Sequence, residues 1–129
     1  MITFIYILLA VVLLIFTLQF VTILAAKKTK GKKLTGLNLK LKGLEIDGSK
    51  GLVYFFSPSC HACKAQTPII SELKSSNKNV FDIDISKDMQ TAKVFGIKAT
   101  PTTIIVENGM ISQVLLGVKQ KEVLLNYLN

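Results

Sequence analysis

The first 26 residues of the chain form an apolar run without a single charged side chain. At about 1.5 Å of rise per residue, a helix over this run would be roughly 39 Å long, and the hydrocarbon core of a bilayer is about 30 Å thick. A globular helix of this length is rarely apolar all round, because its outer face meets water. The run therefore predicts one N-terminal transmembrane helix over residues 1–26, retained as a single-span membrane anchor.

A cleaved signal peptide is the main alternative to an anchor. Such peptides usually carry a basic n-region, a shorter apolar core and small residues before the cleavage site. This run has no basic n-region, and Ile23 and Leu24 stand where a small residue is wanted. These features favour a retained helix, and whether the segment is cleaved stays open.

Five lysines lie within residues 27–33, directly after the apolar run. They account for most of the net charge of +8 and predict a juxtamembrane linker that attracts anionic lipid. Under the positive-inside rule they favour a cytosolic domain, although a long C-terminal domain can still be translocated. A solvated basic linker has the same composition. Nucleic acid is not predicted as a partner, because the block abuts the apolar run and contains no aromatic residue.

Residues 34–129 are enough for one small domain. Alternating or continuous apolar runs predict strands, and 3.6-residue periodicity predicts helices. Asn108 and Gly109 are typical of a hairpin turn, and Val123, Leu124 and Leu128 are expected to face inward. The predicted strands cover residues 37–41, 52–56, 80–85, 102–107 and 110–116, and the predicted helices cover 60–77, 88–95 and 119–128. This order favours an α/β fold with a mixed central sheet covered on both faces.

The two cysteines of the chain are Cys60 and Cys63, separated by two residues where a buried strand is followed by a helix. The free N–H groups and the dipole of a helix N-terminus favour a thiolate at Cys60 and lower its pKa. The thiolate is the nucleophile of disulfide exchange, and Cys63, one turn further on, can resolve a mixed disulfide. This placement predicts a redox pair with Cys60 as nucleophile and Cys63 as resolving cysteine.

Further residues carry a family resemblance. Residues 59–64, with Pro68 five residues past the second cysteine, resemble the active-site helix of thioredoxin-like proteins. Residues 95–102, the hairpin and Gly117 are similar to the distal half of that family. The resemblance implies a thioredoxin-like three-layer fold over residues 34–129. It also implies a cis bond between Thr100 and Pro101, with the backbone of Thr100 pairing with a bound protein substrate.

The chain departs from the thioredoxin pattern at several positions. Ser59 replaces the usual tryptophan, and the pair between the cysteines is His61 and Ala62 instead of glycine and proline. Tyr54 stands where thioredoxins keep a buried aspartate that helps to deprotonate the second cysteine. One hypothesis is that Asp82 supplies the displaced carboxylate near Cys63; the alternative is a solvent-facing strand residue. An imidazolium at His61 would stabilise the Cys60 thiolate and make the disulfide more oxidising.

The function predicted is a membrane-tethered thiol-disulfide oxidoreductase that acts on protein dithiols or disulfides and has its own redox partner. No cofactor is predicted. A copper-binding or delivery module that uses the same cysteines is the alternative, although only Cys60, His61 and Cys63 offer soft ligands and a closed zinc site needs four. A static disulfide is a third interpretation. The lysine block favours a cytosolic domain, whereas analogy with tethered family members favours an extracytoplasmic one.

Overall fold

The structure, a computed structural model, describes residues 1–34, 41, 43, 44 and 48–129. The predicted strand over residues 37–41 lies outside the described residues, apart from Leu41. The other predicted helices and strands are confirmed, with ends that shift by a few residues. The elements are α1 (Ile2–Thr29), β1 (Lys50–Phe56), α2 (Cys63–Ser76), β2 (Val80–Asp84), α3 (Met89–Val94), β3 (Thr102–Glu107), β4 (Met110–Leu116) and α4 (Lys121–Leu128).

The strands form one mixed sheet in the order β2-β1-β3-β4. β1 and β2 are parallel and are joined through α2, while β1 and β3, and β3 and β4, are antiparallel. The hairpin between β3 and β4 turns at Asn108 (φ 53°) and Gly109 (φ 70°). Two successive positive φ angles match the right-handed twist of the strands that they join, and asparagine and glycine adopt them most readily.

Both faces of the sheet are covered. Leu52 and Tyr54 of β1 belong to a core shared with α2 and α4, and the alternate residues Val53 and Phe55 belong to a core on the α3 side. Side chains of a strand point alternately to opposite faces, so a strand covered on both sides reads as a continuous apolar run. The thioredoxin-like, three-layer architecture expected from the sequence is therefore present.

The prediction that Val123 of α4 faces inward is wrong. Leu124 is fully buried and Leu128 packs against the same core, but Val123 is 39% exposed. Residues four apart share one face of a helix, whereas adjacent residues point about 100° apart. Burial of Leu124 and Leu128 therefore rotates Val123 away from the sheet.

The N-terminal helix α1 is long and apolar enough to cross a membrane. Its candidate span, Ile2–Val21, has a mean hydropathy of 2.8, and none of it is buried against the rest of the described chain. The helix continues through Thr29 and so includes the first two lysines of the basic block. A signal sequence also has these properties.

The end of the basic block lies against the outer edge of β4. The Gly31 N–H donates to the Ile111 carbonyl (2.7 Å), and the Leu34 N–H donates to the Gly109 carbonyl (2.9 Å). The Lys32 ammonium donates to the Val94 carbonyl (2.8 Å). An edge strand offers unpaired N–H and C=O groups, and this segment satisfies some of those on β4. The segment that the sequence assigns to a linker is therefore partly joined to the sheet.

Candidate redox site

The cysteine pair lies where β1 gives way to α2. After Phe56 the chain turns, and the Cys60 N–H donates to the Ser57 carbonyl (3.0 Å). The prediction that the helix begins at Cys60 is wrong by one turn, because α2 begins at Cys63. The residues between the cysteines instead form tighter turns, in which the His61 carbonyl accepts from the Lys64 N–H. Cys60 therefore precedes the helix, and its sulfur accepts from the N–H of Cys63, the first residue of the helix.

Cys60 and Cys63 are joined in a disulfide, with their Cα atoms 5.3 Å apart. The backbone N–H of Cys63 also donates to Cys60 Sγ (3.2 Å). Cys60 is partly exposed and Cys63 is only 3% exposed. A helix-terminal N–H directed at sulfur stabilises a thiolate. The exposed position of Cys60 suits it to react with a disulfide of another molecule, and the buried position of Cys63 suits it to react with Cys60.

Tyr54 lies beneath the cysteine pair. Its side chain is fully buried, and its hydroxyl lies 3.3 Å from the Cys63 carbonyl oxygen and 3.1 Å from the Thr67 hydroxyl. Burial raises the pKa of Tyr54, and the nearby charge of Asp82 raises it further, while the hydrogen bond with Thr67 opposes both. The hydroxyl is therefore held protonated, as a neutral group in the place where thioredoxins are expected to have a carboxylate.

Thr67 was not singled out in the sequence. Its hydroxyl donates to the Cys63 carbonyl (2.8 Å) and contacts the Tyr54 hydroxyl. The signal that could have revealed it is spacing, because a threonine four residues after a helical residue can donate back to the carbonyl of that residue. Thr67 also lines an open cleft of about 330 Å³ beside the disulfide, together with the rings of Phe56, Pro58 and Pro68.

Asp82 lies on β2, directly opposite Tyr54 in the register of β1 and β2. Its side chain is exposed and forms an ion pair with Lys74 of α2. The hypothesis that Asp82 acts near Cys63 stays a prediction. The structure places the Asp82 carboxylate close enough to Tyr54 for its negative charge to raise the pKa of the Tyr54 hydroxyl.

The Thr100–Pro101 bond is cis, as the resemblance implies. Thr102, the next residue, pairs with Phe55 near the end of β1, so Pro101 lies at the same end of the sheet as the cysteine turn. The Gly117 N–H donates to the Pro101 carbonyl (2.9 Å) and ties this loop to the end of β4. His61 lies at the surface of the same end of the fold. Substrate binding by Thr100 and Pro101, and tuning by His61, stay predictions.

Metal binding was the alternative function predicted for the cysteine pair. Over residues 1–34, 41, 43, 44 and 48–129, no three His, Cys, Asp or Glu side chains come together as a metal-binding group. The sulfur atoms of Cys60 and Cys63 are bonded to each other in this state. The arrangement is that of a dithiol–disulfide couple.

The thioredoxin family model matches residues 42–129. The chain belongs to the thioredoxin family. Thioredoxin from Bacillus subtilis is 29% identical over 93 residues, which cover 68% of this chain and 89% of that protein. Thioredoxin 2 from Plasmodium berghei is 35% identical over 74 residues. That match covers 55% of this chain and 47% of the relative, so the chain spans about half of the relative's length.

Solved thioredoxins have the same fold. The structure of Malassezia sympodialis thioredoxin aligns over 77% of this chain and 90% of its own, with a TM-score of 0.60 and 17% identity. The reduced Schistosoma mansoni thioredoxin pre-protein aligns over 63% and 78%, with a TM-score of 0.55 and 28% identity. Family membership and the cysteine pair together identify a thiol-disulfide oxidoreductase.

Proposed function

We propose that this thioredoxin-family protein is tethered to a membrane and exchanges disulfides with protein substrates through Cys60 and Cys63. The observation that carries the proposal is the asymmetry of the pair. Cys60 is partly exposed and accepts an N–H hydrogen bond on its sulfur, whereas Cys63 is buried one turn further along the chain. Attack and resolution therefore fall to different sulfur atoms.

In the reducing direction, the Cys60 thiolate attacks one sulfur of a substrate disulfide. A bond forms between Cys60 and that sulfur, and the other substrate sulfur leaves as a thiolate that takes up a proton. Cys63 then loses its proton and attacks Cys60 Sγ, which releases the second substrate thiolate and forms the intramolecular disulfide. The substrate is reduced by two electrons and the pair is oxidised. The reverse sequence donates a disulfide to a protein dithiol.

Substrate binding is assigned to the loop around the cis proline. Thr100 and Pro101 lie at the dithiol end of the sheet, and the backbone of Thr100 is proposed to pair with an extended segment of the substrate. His61 is proposed to tune the reduction potential, because a positive charge between the cysteines stabilises the thiolate form. Asp82 is proposed to influence Cys63 from the neighbouring strand.

Membrane tethering rests on α1 and on the lysines that follow it. A helix with the hydropathy and length of α1 can span a bilayer, and lysines at its end attract anionic lipid headgroups. After reduction of the disulfide with a membrane-impermeant reductant, reaction of Cys60 with a membrane-impermeant maleimide in intact cells measures the side of the membrane on which the domain lies. Rapid labelling indicates an extracytoplasmic domain, and labelling only after lysis indicates a cytosolic one.

The experiment that tests the redox function is titration of the full chain, in lipid nanodiscs, against glutathione buffers. We expect one reversible two-electron couple between about −270 and −120 mV, the range of family members. A value near the lower end indicates a reductant, and a value near the upper end indicates a disulfide donor. A chain without a reversible couple would contradict the proposal and would favour metal binding.

Serine variants separate the two cysteine roles. Cys60→Ser is expected to lower the rate of protein disulfide reduction by roughly three orders of magnitude or more, because no nucleophile remains. Cys63→Ser is expected to stop turnover as well but to accumulate a covalent mixed disulfide through Cys60, visible on non-reducing gels. If the mixed disulfide accumulates in Cys60→Ser instead, the assigned roles are wrong.

A further inference from the structure

The first turn of α2 carries the resolving cysteine and lacks the usual cap. Its N-cap residue is Ala62, whose methyl side chain accepts no hydrogen bond. The first turn contains no acidic residue either. The first N–H groups of a helix have no partner within the helix. In α2 they donate to Cys60 Sγ and to the carbonyls of His61 and Ala62, which belong to the turn before the helix. None of these contacts joins Cys63 to the sheet.

Two hydroxyl groups converge on the carbonyl of Cys63. Thr67 donates to this oxygen from one turn further along α2 (2.8 Å), and Tyr54 reaches it from β1 (3.3 Å). Since Thr67 donates its one proton to the carbonyl, the proton of Tyr54 is shared between that carbonyl and the Thr67 oxygen, which lies 3.1 Å away. The carbonyl of the resolving cysteine is thus tied both to its own helix and to the central sheet.

Tyr54 is well placed to act as a fixed point. Its side chain is fully buried within the core between the sheet and α2, and its ring stacks on that of Phe56, with centroids 5.5 Å apart. Its backbone pairs with Asp82 on one side and with Thr103 on the other. A hydroxyl on so constrained a ring fixes the position of its partner relative to the strand that leads to Cys60.

The contacts of Tyr54 and Thr67 with the Cys63 carbonyl matter most when the disulfide is open. In the oxidised protein the covalent bond between Cys60 and Cys63 holds the first turn of α2. In the mixed disulfide Cys60 is bonded to the substrate, so that covalent constraint is gone while Cys63 must still reach Cys60 Sγ. We propose that Tyr54 and Thr67 are positioning residues that hold Cys63 for attack on the mixed disulfide. The proposal rests on the proposed redox function and assigns these hydroxyls to its second step.

Attack of Cys63 on the mixed disulfide does not require a base within the protein. The Cys63 thiol gives its proton to solvent, and its sulfur forms a bond to Cys60 Sγ. The bond between Cys60 and the substrate sulfur breaks, and the substrate sulfur leaves with the electron pair and takes up a proton. The hydroxyls of Tyr54 and Thr67 exchange no proton in this step, since they act by holding the carbonyl of Cys63.

The test follows the two steps separately in the full chain, reduced and held in nanodiscs. Rapid mixing with a protein disulfide, followed by acid quench, measures formation and decay of the mixed disulfide. Tyr54→Phe and Thr67→Val each remove a hydroxyl and keep the shape of the side chain. We expect formation within about twofold of the parent and decay slowed roughly fivefold to tenfold, the effect of losing one net hydrogen bond. Thr67→Ser keeps the hydroxyl and is expected to restore the decay rate.

Leu73→Ala is the matched control, because it weakens the packing of α2 on the sheet without a contact to Cys63. If Leu73→Ala slows decay as much as Tyr54→Phe does, the effect is one of general stability and the positioning role is wrong. Decay at the parental rate in both Tyr54→Phe and Thr67→Val overturns the proposal while leaving the redox function intact. A parent chain that forms no mixed disulfide overturns both.

Discussion

The helices α1 and α2 differ in what surrounds their apolar side chains. In α1, Leu13 is 67% exposed, and apolar residues cover the whole circumference. In α2, Ile70 and Leu73 are 2% and 1% exposed and pack on the sheet, while lysines and serines cover the outer face. An amphipathic helix is stabilised by the one surface that matches its apolar stripe, whereas a helix that is apolar all round needs an apolar solvent.

The two helices also differ in their relation to the redox site. The position of α2 against β1 places Cys63 over the hydroxyl of Tyr54 and beside Cys60. α1 supplies none of the residues assigned to the redox site. The protein therefore uses one helix to build the reactive pair and the other, as proposed, to restrict where that pair operates.

The largest expected effect concerns α1. Replacing both Leu13 and Phe16 by arginine places two charges near the middle of the proposed span, and each costs about 3 kcal/mol of insertion free energy. We expect the chain to leave the membrane fraction after an alkaline wash, while the doubly alanine-substituted chain stays. Retention of the arginine variant in the membrane would contradict a spanning helix.

A smaller effect distinguishes the two helices by packing. Leu73→Ala is expected to lower the free energy of unfolding of the domain by about 2–5 kcal/mol, because it leaves a cavity beneath α2. Leu13→Ala is expected to change that free energy by less than about 0.5 kcal/mol, because Leu13 is 67% exposed and its span is not buried against the described part of the domain. Chemical denaturation in micelles measures both. Equal losses would show that α1 belongs to the folded core.

The smallest effect concerns the contact between β1 and α2. Burial raises the pKa of Tyr54, so the folded state binds its proton more tightly than the unfolded state does. This contribution to stability is complete below the unfolded pKa of about 10 and is lost as the pH rises through the higher folded pKa. In Tyr54→Phe, the free energy of unfolding is therefore expected to decrease less steeply as the pH rises above about 10. An unchanged alkaline slope would show that Tyr54 ionises equally in both states.

Local patterns were enough to predict most of the fold. The β-forming residues of 102–107 and 110–116, together with the Asn108–Gly109 turn, predicted a hairpin whose strands match β3 and β4. The helix of the redox site was predicted one turn too early, because side-chain periodicity does not distinguish tight turns from the first turn of an α-helix. The strand expected over residues 37–41 lies outside the described residues, apart from Leu41.

The sequence by itself determined the apolar N-terminal helix, the cysteine spacing and the order of the elements, because each depends on neighbours along the chain. Only the tertiary structure decided that Tyr54 and Thr67 meet at the carbonyl of Cys63, and that the segment beginning at Gly31 lies along the edge of β4. Tyr54 and Cys63 belong to a strand and a helix whose approach is set by the packing of the whole sheet. A hydrogen bond between them depends on that packing to within an ångström, and local sequence does not encode it.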